Sequence, residues 1–426
     1  MAFPIIKSFA VATGSGGKMS VIKDIEIIEL GEADSSKSSP WSSTVLILKL
    51  TTSDGIVGYG EAPTTLMTLP VYEEMKEVSR IFKGKEATEI QKNYLDFYKN
   101  SFYLPVSMES TAALSAFEMA SWDITGKIYG MPVYDAFGGM IRDRVRAYAN
   151  GWYDNCVSPD DFVKKAKGVV KMGFTGVKFD PFGDAYDSIN AKQLENAKEV
   201  VGAMRESFKD LDLMIECHGR FNANSAIRAG LALEEYSPLF IEEPVHPDQF
   251  EGLIRFRERV GIPVALGERV LDRNLFLNYM VNNAVDVIQP DITNFGGLMQ
   301  GKSVADMAYS FGIEVAYHNA FGPIQTAATL NLDYTIPNLL IQESFEAFNP
   351  AWKKNLLKSG YSLDEGYFKL AKGRPGLGIE VNERILEEYK LHGMEPFNDS
   401  EPPWVVQGTF KPAKAKPRRQ KKKKAR

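Results

Sequence analysis

Residues 211–221 read LDLMIECHGRF and residues 239–243 read LFIEE. Both are short, nearly continuous apolar runs that end on a glutamate, Glu216 in the first and Glu242 in the second. Runs of this kind mark strands buried on both faces, as in a parallel sheet covered by helices. Outward from this pair the same style recurs at VRAYANGW, GVKFD, PVALGE, VDVIQPD, IEVAYHN and LLIQES. Helix-like segments such as SPDDFVKKAKGVVKMG, where Ser158 is placed to cap, lie between them. Eight strands alternating with helices favour a closed barrel over an open doubly wound sheet, so residues 141–350 are expected to form an α/β barrel.

Before the barrel the pattern differs. Val21 to Leu30 and Ser43 to Leu50 read as strands, separated by the polar, serine-rich loop GEADSSKSSPWSS and followed by the turn SDGIVGYGEA. Three helical patterns follow, the last of them, STAALSAFEMASWDITGKIYG, stopping at Gly130. Residues 19–140 are therefore expected to form an α+β unit, with residues 1–18 as an N-terminal extension. Residues 351–410 are expected to return to that unit. Residues 411–426, KPAKAKPRRQKKKKAR, carry ten Lys and Arg, and without those charges the net −5 of the chain becomes −15. Such a tail cannot bury apolar surface; it reads as a solvated basic arm, or as a site of nonspecific polyanion contact.

Hydrophobic residues at 44% and charged residues at 25% exclude a disordered or collagen-like chain. Cys156 and Cys217, the only cysteines, are too few for a disulfide framework, which points to a reducing compartment. No apolar run is long enough to cross a bilayer, and MAFPIIKSFAVATG has no convincing cleavage site, so a cytoplasmic location with no membrane partner is expected. No dinucleotide fingerprint or P-loop stands at a strand-to-helix junction.

Polar residues top the expected strands: Lys178 and Asp180, Glu216 and His218, Glu242, Glu268, Asp291, His318 and Glu343. From Glu216 the steps are 26, 26, 23, 27 and 25 residues, about one strand–helix unit each, which brings groups far apart in sequence onto one barrel rim. Any one of these could be a strand-end salt bridge or a helix cap; three carboxylates in phase, flanked by two histidines, point instead to a site. Converging carboxylates repel unless a cation joins them, and an all-oxygen set with positions left for substrate favours a single Mg2+ over a caged Ca2+. A carboxylate substrate chelated by that ion could lose its α-proton. His318 with Asp291 would form the base, and His218 could protonate a leaving group.

The motifs SDGIVGYGEA, SAFEMASWDITGKIYGMPVYDAFGG, FIEEP, ALGER, QPDI, AYHN and IQES resemble the enolase superfamily, in particular its mandelate racemase subgroup. YANGWYDNCVSP, KFDPFGDAYD, CHGRFNANSAI, EEPVHPD, QPDITNFGG and YHNAFGPIQ are similar to the archaeal gluconate dehydratases of that subgroup. The resemblance spans about Met19 to Phe410 and implies a modified TIM barrel, (β/α)7β, beneath an N-terminal α+β capping domain. It also implies Glu216, Glu242 and Glu268 as Mg2+ ligands and His318 with Asp291 as the base for the C2 proton. His218 would be the acid that expels the C3 hydroxyl, and Lys178 and Glu343 would hold the substrate carboxylate. Asp180, Arg220 and Asn319 join the expected substrate-binding set, with Arg220 equally suited to bracing a loop.

Racemases carry Lys-x-Lys where this chain has KFD, so Asp180 replaces their second base and favours a one-base elimination. The expected activity is dehydration of gluconate, with galactonate as a further substrate, to a 2-keto-3-deoxy acid. Dehydration of xylonate, arabinonate or galactarate, or epimerisation, is the alternative, and polyanion binding through the tail the non-enzymatic one. A symmetric homo-oligomer, often an octamer, is implied by the resemblance. His246 either touches sugar hydroxyls or decorates its loop, His392 is taken as surface, and Cys217 as core filler. The loop at Ser35 to Ser42 and residues Thr64 to Thr68 correspond to the loops that close such sites.

Overall fold

A computed structural model describes residues 19–32, 44–64, 68–102 and 107–391. The N-terminal extension, the serine-rich loop, the basic tail, His392 and residues 65–67 lie outside them. The N-terminal unit opens with an antiparallel sheet of β1 (Ile22–Gly31), β2 (Thr44–Thr52) and β3 (Val57–Ala62), in that order. Leu46, Leu48 and Leu50 alternate along β2 and pack with Val71, Met75 and Val78 of α1 (Thr68–Phe82) and with Phe117 of α3 (Met108–Tyr129). Between these helices lies α2 (Ile90–Asn100). Ser107 caps the start of α3, and Gly130, at φ 65°, ends it in the left-handed conformation that glycine reaches without a Cβ clash. A short α4 (Val133–Ala136) leads to the barrel.

Eight parallel strands follow: β4 (Val145–Ala149), β5 (Gly176–Phe179), β6 (Asp212–Glu216), β7 (Phe240–Glu242), β8 (Val264–Leu266), β9 (Val287–Ile288), β10 (Glu314–Val315) and β11 (Gln342–Ser344). They alternate with α5 (Pro159–Lys171), α6 (Ala191–Ser207), α7 (Ala223–Leu233), α8 (Phe250–Arg257), α9 (Arg273–Val281), α10 (Leu298–Ser310) and α11 (Pro323–Asp333). Each of β4 to β9 pairs with its successor in sequence, β11 pairs with β4, and a Val315–Leu339 bridge joins β10 to the approach of β11. The ring is thus closed as (β/α)7β. Its interior holds one apolar layer, Tyr148, Met214, Phe240, Ala265, Val287, Ala316 and Ile341, drawn from every strand position except β5, with Ala316 directly after β10 and Ile341 directly before β11.

The chain then runs through α12 (Ala351–Lys354), β12 (Leu357–Ser359), β13 (Tyr361–Asp364), β14 (Tyr367–Leu370), β15 (Glu380–Val381) and α13 (Glu383–Glu388). It ends against the first sheet, where Gly31 N donates to Tyr389 O at 2.9 Å and Leu391 N to Glu29 O at 2.9 Å. No helix among the described residues is long and apolar enough to cross a membrane.

The joint between the capping unit and the barrel is made by carboxylates. Helices α10 and α11 start from glycines, Gly297 and Gly322, and have no local side-chain cap. Glu118 of α3 accepts from Leu298 N at 2.8 Å and Met299 N at 2.9 Å. Glu61 of β3 accepts from Ile324 N and Gln325 N, both at 3.1 Å. A Cβ on Gly297 or Gly322 would lie 2.1 or 2.5 Å from these carboxylates, so the glycines make room for caps supplied by the other unit.

Candidate active site

Side chains alternate along a strand, so the residue two positions beyond each member of the apolar layer faces the same interior, one step nearer the rim. Those positions hold Asn150, Glu216, Glu242, Gln289, His318 and Glu343, and Lys178 takes the place on β5 by alternating with the outward Val177 and Phe179. An apolar floor therefore passes directly into a polar ring. In β8 the in-phase position is Gly267; Glu268 arrives from the turn that follows the strand and is more exposed than Glu216 or Glu242. His218 also comes from a turn, with φ 51°, since β6 ends at Glu216.

Lys178 is the hub of the ring. Its Nζ lies 3.0 Å from Glu216 Oε2, 2.6 Å from Glu242 Oε1 and 2.9 Å from Glu343 Oε1. Burial disfavours the ammonium, but these carboxylates outweigh it and hold Lys178 well above the usual lysine range. Burial, and next the charge of Glu216, push Glu242 far above the carboxylate range. Glu343 goes the other way, to about 2, because Lys178, His318, Asn319 N and Asn150 overcome its desolvation. One ammonium cannot neutralise this set.

Two imidazoles line a cavity of about 410 Å³ together with Lys178, Glu216, Glu268 and Arg269. His318 Nδ1 is 2.5 Å from Asp291 Oδ2, and its Nε2 is 3.2 Å from Glu268 Oε2. Desolvation opposes its charge, yet Glu268, Glu343 and Asp291 prevail and raise it to about 10. Nδ1 of His218 is 3.0 Å from Asp180 Oδ2, and its pKa is likewise raised, burial being outweighed by Glu216 and Asp180. Each imidazole is thus oriented by a carboxylate at one nitrogen.

The remaining expected residues sit behind this surface. Arg220 is enclosed, donating to Asp180 Oδ1 at 2.5 Å and lying over Phe182 and Phe221, so it braces Asp180 and does not line the cavity. Asn319 turns its side chain to Glu343 O and Thr326 and gives its N–H to Glu343 Oε2 at 2.9 Å. His246 pairs with Asp248 and lines a separate small cavity. Cys217 packs in the outer core, its thiol pushed well up by burial.

Several residues escaped the sequence reading. Asn150 donates to Glu343 at 2.8 Å and Gln289 to Glu242 at 2.6 Å; period-two counting from Tyr148 and Val287 would have found both. Gln325 donates to both oxygens of Asp291 at 3.0 Å. Arg269 pairs with Glu243 at 2.6 Å, and Met108 brings the start of α3 into the cavity wall.

As arranged here, no three acidic, His or Cys side chains among the described residues are placed to hold a metal ion together. Glu242 spends one oxygen on Lys178 and the other on Gln289. The donor chemistry nevertheless suits a hard dication. It is all oxygen, on one rim, and crowded enough that burial and the charge of Glu216 raise Glu242 well above the ordinary carboxylate range.

Residues 34–138 match the family described as mandelate racemase / muconate lactonizing enzyme, N-terminal domain, and residues 161–385 match enolase C-terminal domain-like. The chain belongs to the enolase superfamily. Members of this superfamily use a divalent metal ion. The chain is 54% identical to a D-gluconate/D-galactonate dehydratase of Picrophilus torridus over 92% of its length and all of that protein's. It is 42% identical to a D-gluconate dehydratase of Thermoproteus tenax, over 92% of this chain and 79% of that one. A crystal structure of a mandelate racemase/muconate lactonizing enzyme-like protein from Roseovarius sp. superimposes with a TM-score of 0.81 at 31% identity, over 88% of this chain and 96% of the other.

Proposed function

We propose that this protein is a Mg2+-dependent sugar-acid dehydratase that converts gluconate, and also galactonate, to the 2-keto-3-deoxy acid. One observation carries the reading within a superfamily that also racemises. Asp180, at the position of the racemases' second basic lysine, is engaged with His218 at 3.0 Å and Arg220 at 2.5 Å. Among the described residues no lysine besides Lys178 lines the cavity, and His218, oriented by Asp180, is placed to act as a proton donor. The 54% identity to the Picrophilus enzyme, which bears the gluconate/galactonate dehydratase name, supports the substrate class.

In this reading Glu216, Glu242 and Glu268 hold the metal. When bound, the dication would supply positive charge that offsets the negative charge developing on the substrate carboxylate as the C2 proton leaves. Lys178, the ammonium of the ring, attracts the substrate carboxylate. Nε2 of His318 takes the C2 proton while Asp291 holds its Nδ1. His218 gives a proton to the C3 hydroxyl, which leaves as water, and the resulting enol tautomerises to the 2-keto-3-deoxy acid. Glu343, whose oxygens already engage Lys178, Asn150 and Asn319 N, fixes Lys178 in place.

The test is a panel of gluconate, galactonate, xylonate, arabinonate and galactarate incubated with the protein and Mg2+ and scored for 2-keto-3-deoxy acid. Product from gluconate and galactonate is expected. Exchange of the α-proton without loss of water on every member would refute dehydration in favour of epimerisation.

A further inference from the structure

Helix α11 reaches the proposed base through one side chain. Gln325, in its first turn, donates from Nε2 to both oxygens of Asp291 at 3.0 Å and to His318 O at 3.3 Å, while its Oε1 accepts from Phe321 N at 2.9 Å. It thereby touches both members of the pair and the loop that carries His318. The backbone of Gln325 is fixed in turn by Glu61, whose Oε2 takes the N–H groups of Ile324 and Gln325 at 3.1 Å. Glu61 is fully buried and lies on cap strand β3, 264 residues away in sequence.

We propose that Glu61 is a positioning residue for the Asp291–His318 pair, acting through the first turn of α11 and Gln325. An internal control is built into the fold. Glu118 caps α10 by the same chemistry, but the residues it holds, Leu298 and Met299, neither line the cavity nor hydrogen-bond to the side chains of the pair. Loss of either cap loosens the joint between the two units; only loss of Glu61 releases Gln325. A displacement of about 1 Å at a base costs roughly 10²-fold in rate, so the effect is measurable.

Oε1 of Glu61 and Nζ of Lys353 are both buried without hydrogen-bond partners, and the charge of Lys353 faces the carboxylate. The main variant is therefore Glu61→Ala combined with Lys353→Met, which avoids stranding a buried ammonium. Two readouts are taken: kcat and KM for gluconate dehydration, and the downfield proton resonance of His318 Nδ1–H, assigned by its absence in His318→Asn. Expected are a fall in kcat of about 10²-fold with KM within about twofold, and loss or broadening of the resonance. Glu61→Gln, which keeps an acceptor at the helix start, is expected to restore most of both. Gln325→Met, which leaves the cap intact, should reproduce the loss, and adding it to the main variant should cost little more.

Glu118→Ala is expected to lower the unfolding temperature while leaving kcat and the resonance in place. An unchanged kcat and resonance in the folded main variant would overturn the proposal, as would an equal change in Glu118→Ala. Should the main variant fail to fold, Gln325→Met and Glu61→Gln decide: unchanged values in the first, or in both, refute it. The kcat arm rests on the dehydratase reading, whereas the resonance reports the pair without substrate. A parent protein inactive on every sugar acid would sink that reading and leave this test standing.

Discussion

Buried glutamates occur in two places, and their surroundings set them apart. At the joint, Glu61 and Glu118 each meet the open N–H groups of a helix start. On the rim, Glu216, Glu242 and Glu343 meet one another around the single ammonium of Lys178. Desolvation opposes the charge in both. Fixed backbone dipoles partly offset this in the first set, whereas the second keeps an excess of negative charge that a dication would offset. The joint is built for stability and the rim for chemistry, at some cost in stability.

The largest break expected lies on the rim. His318→Asn should reduce both dehydration and α-proton exchange by about 10³-fold, whereas His218→Asn should retain part of the exchange and lose the dehydration. Exchange into substrate in deuterated water, followed by NMR, separates the two. Equal retention of both activities in both variants would refute the roles assigned.

Next come two glutamates treated alike. Glu242→Gln should lower Mg2+-dependent turnover by roughly 10²-fold, yet leave the unfolding temperature in EDTA at or above the parent value, because burial and the charge of Glu216 already oppose a charge on Glu242. Glu118→Ala should do the reverse: activity stays, and about 1–3 kcal/mol of stability is lost with the N–H groups of Leu298, Met299 and Trp122 left without this acceptor. Thermal unfolding beside steady-state rates checks the pair. A rim variant less stable than the joint variant would erase the distinction.

The smallest effect is a pH slope. Burial outweighs three hydrogen bonds and raises Glu118 from its ordinary 4.5 to about 7. Between these values the unfolded chain loses this proton and the folded one keeps it, so its contribution to stability is full below about 4.5 and falls as pH rises towards 7. The slope is at most about 1.4 kcal/mol per pH unit. Glu118→Gln should flatten the dependence of unfolding temperature on pH in that window, and an unaltered slope would place Glu118 outside it.

The barrel was legible because buried parallel strands write themselves as apolar runs, and the rim because each run ended on a charge. Even there, a spacing of 26 residues placed Glu268 in phase when Gly267 holds that position. Asn150 and Gln289 follow the same period but bear no charge to draw attention. Glu61 and Gln325 could not be joined by any local pattern, since their contact spans two units. Arg220 read equally as ligand or brace; in the fold it is buried and donates to Asp180.

The central claim is that three rim glutamates together hold one dication on which removal of the C2 proton depends. Its most direct test is the rate of 2-keto-3-deoxygluconate formation by EDTA-stripped protein as Mg2+ is added back, in the parent and in Glu216→Gln, Glu242→Gln and Glu268→Gln. Saturable recovery in the parent, with recovery shifted to much higher Mg2+ or lost in all three variants, is the expected result. Full turnover in EDTA, or recovery in the variants at the parent's Mg2+ concentration, would contradict it.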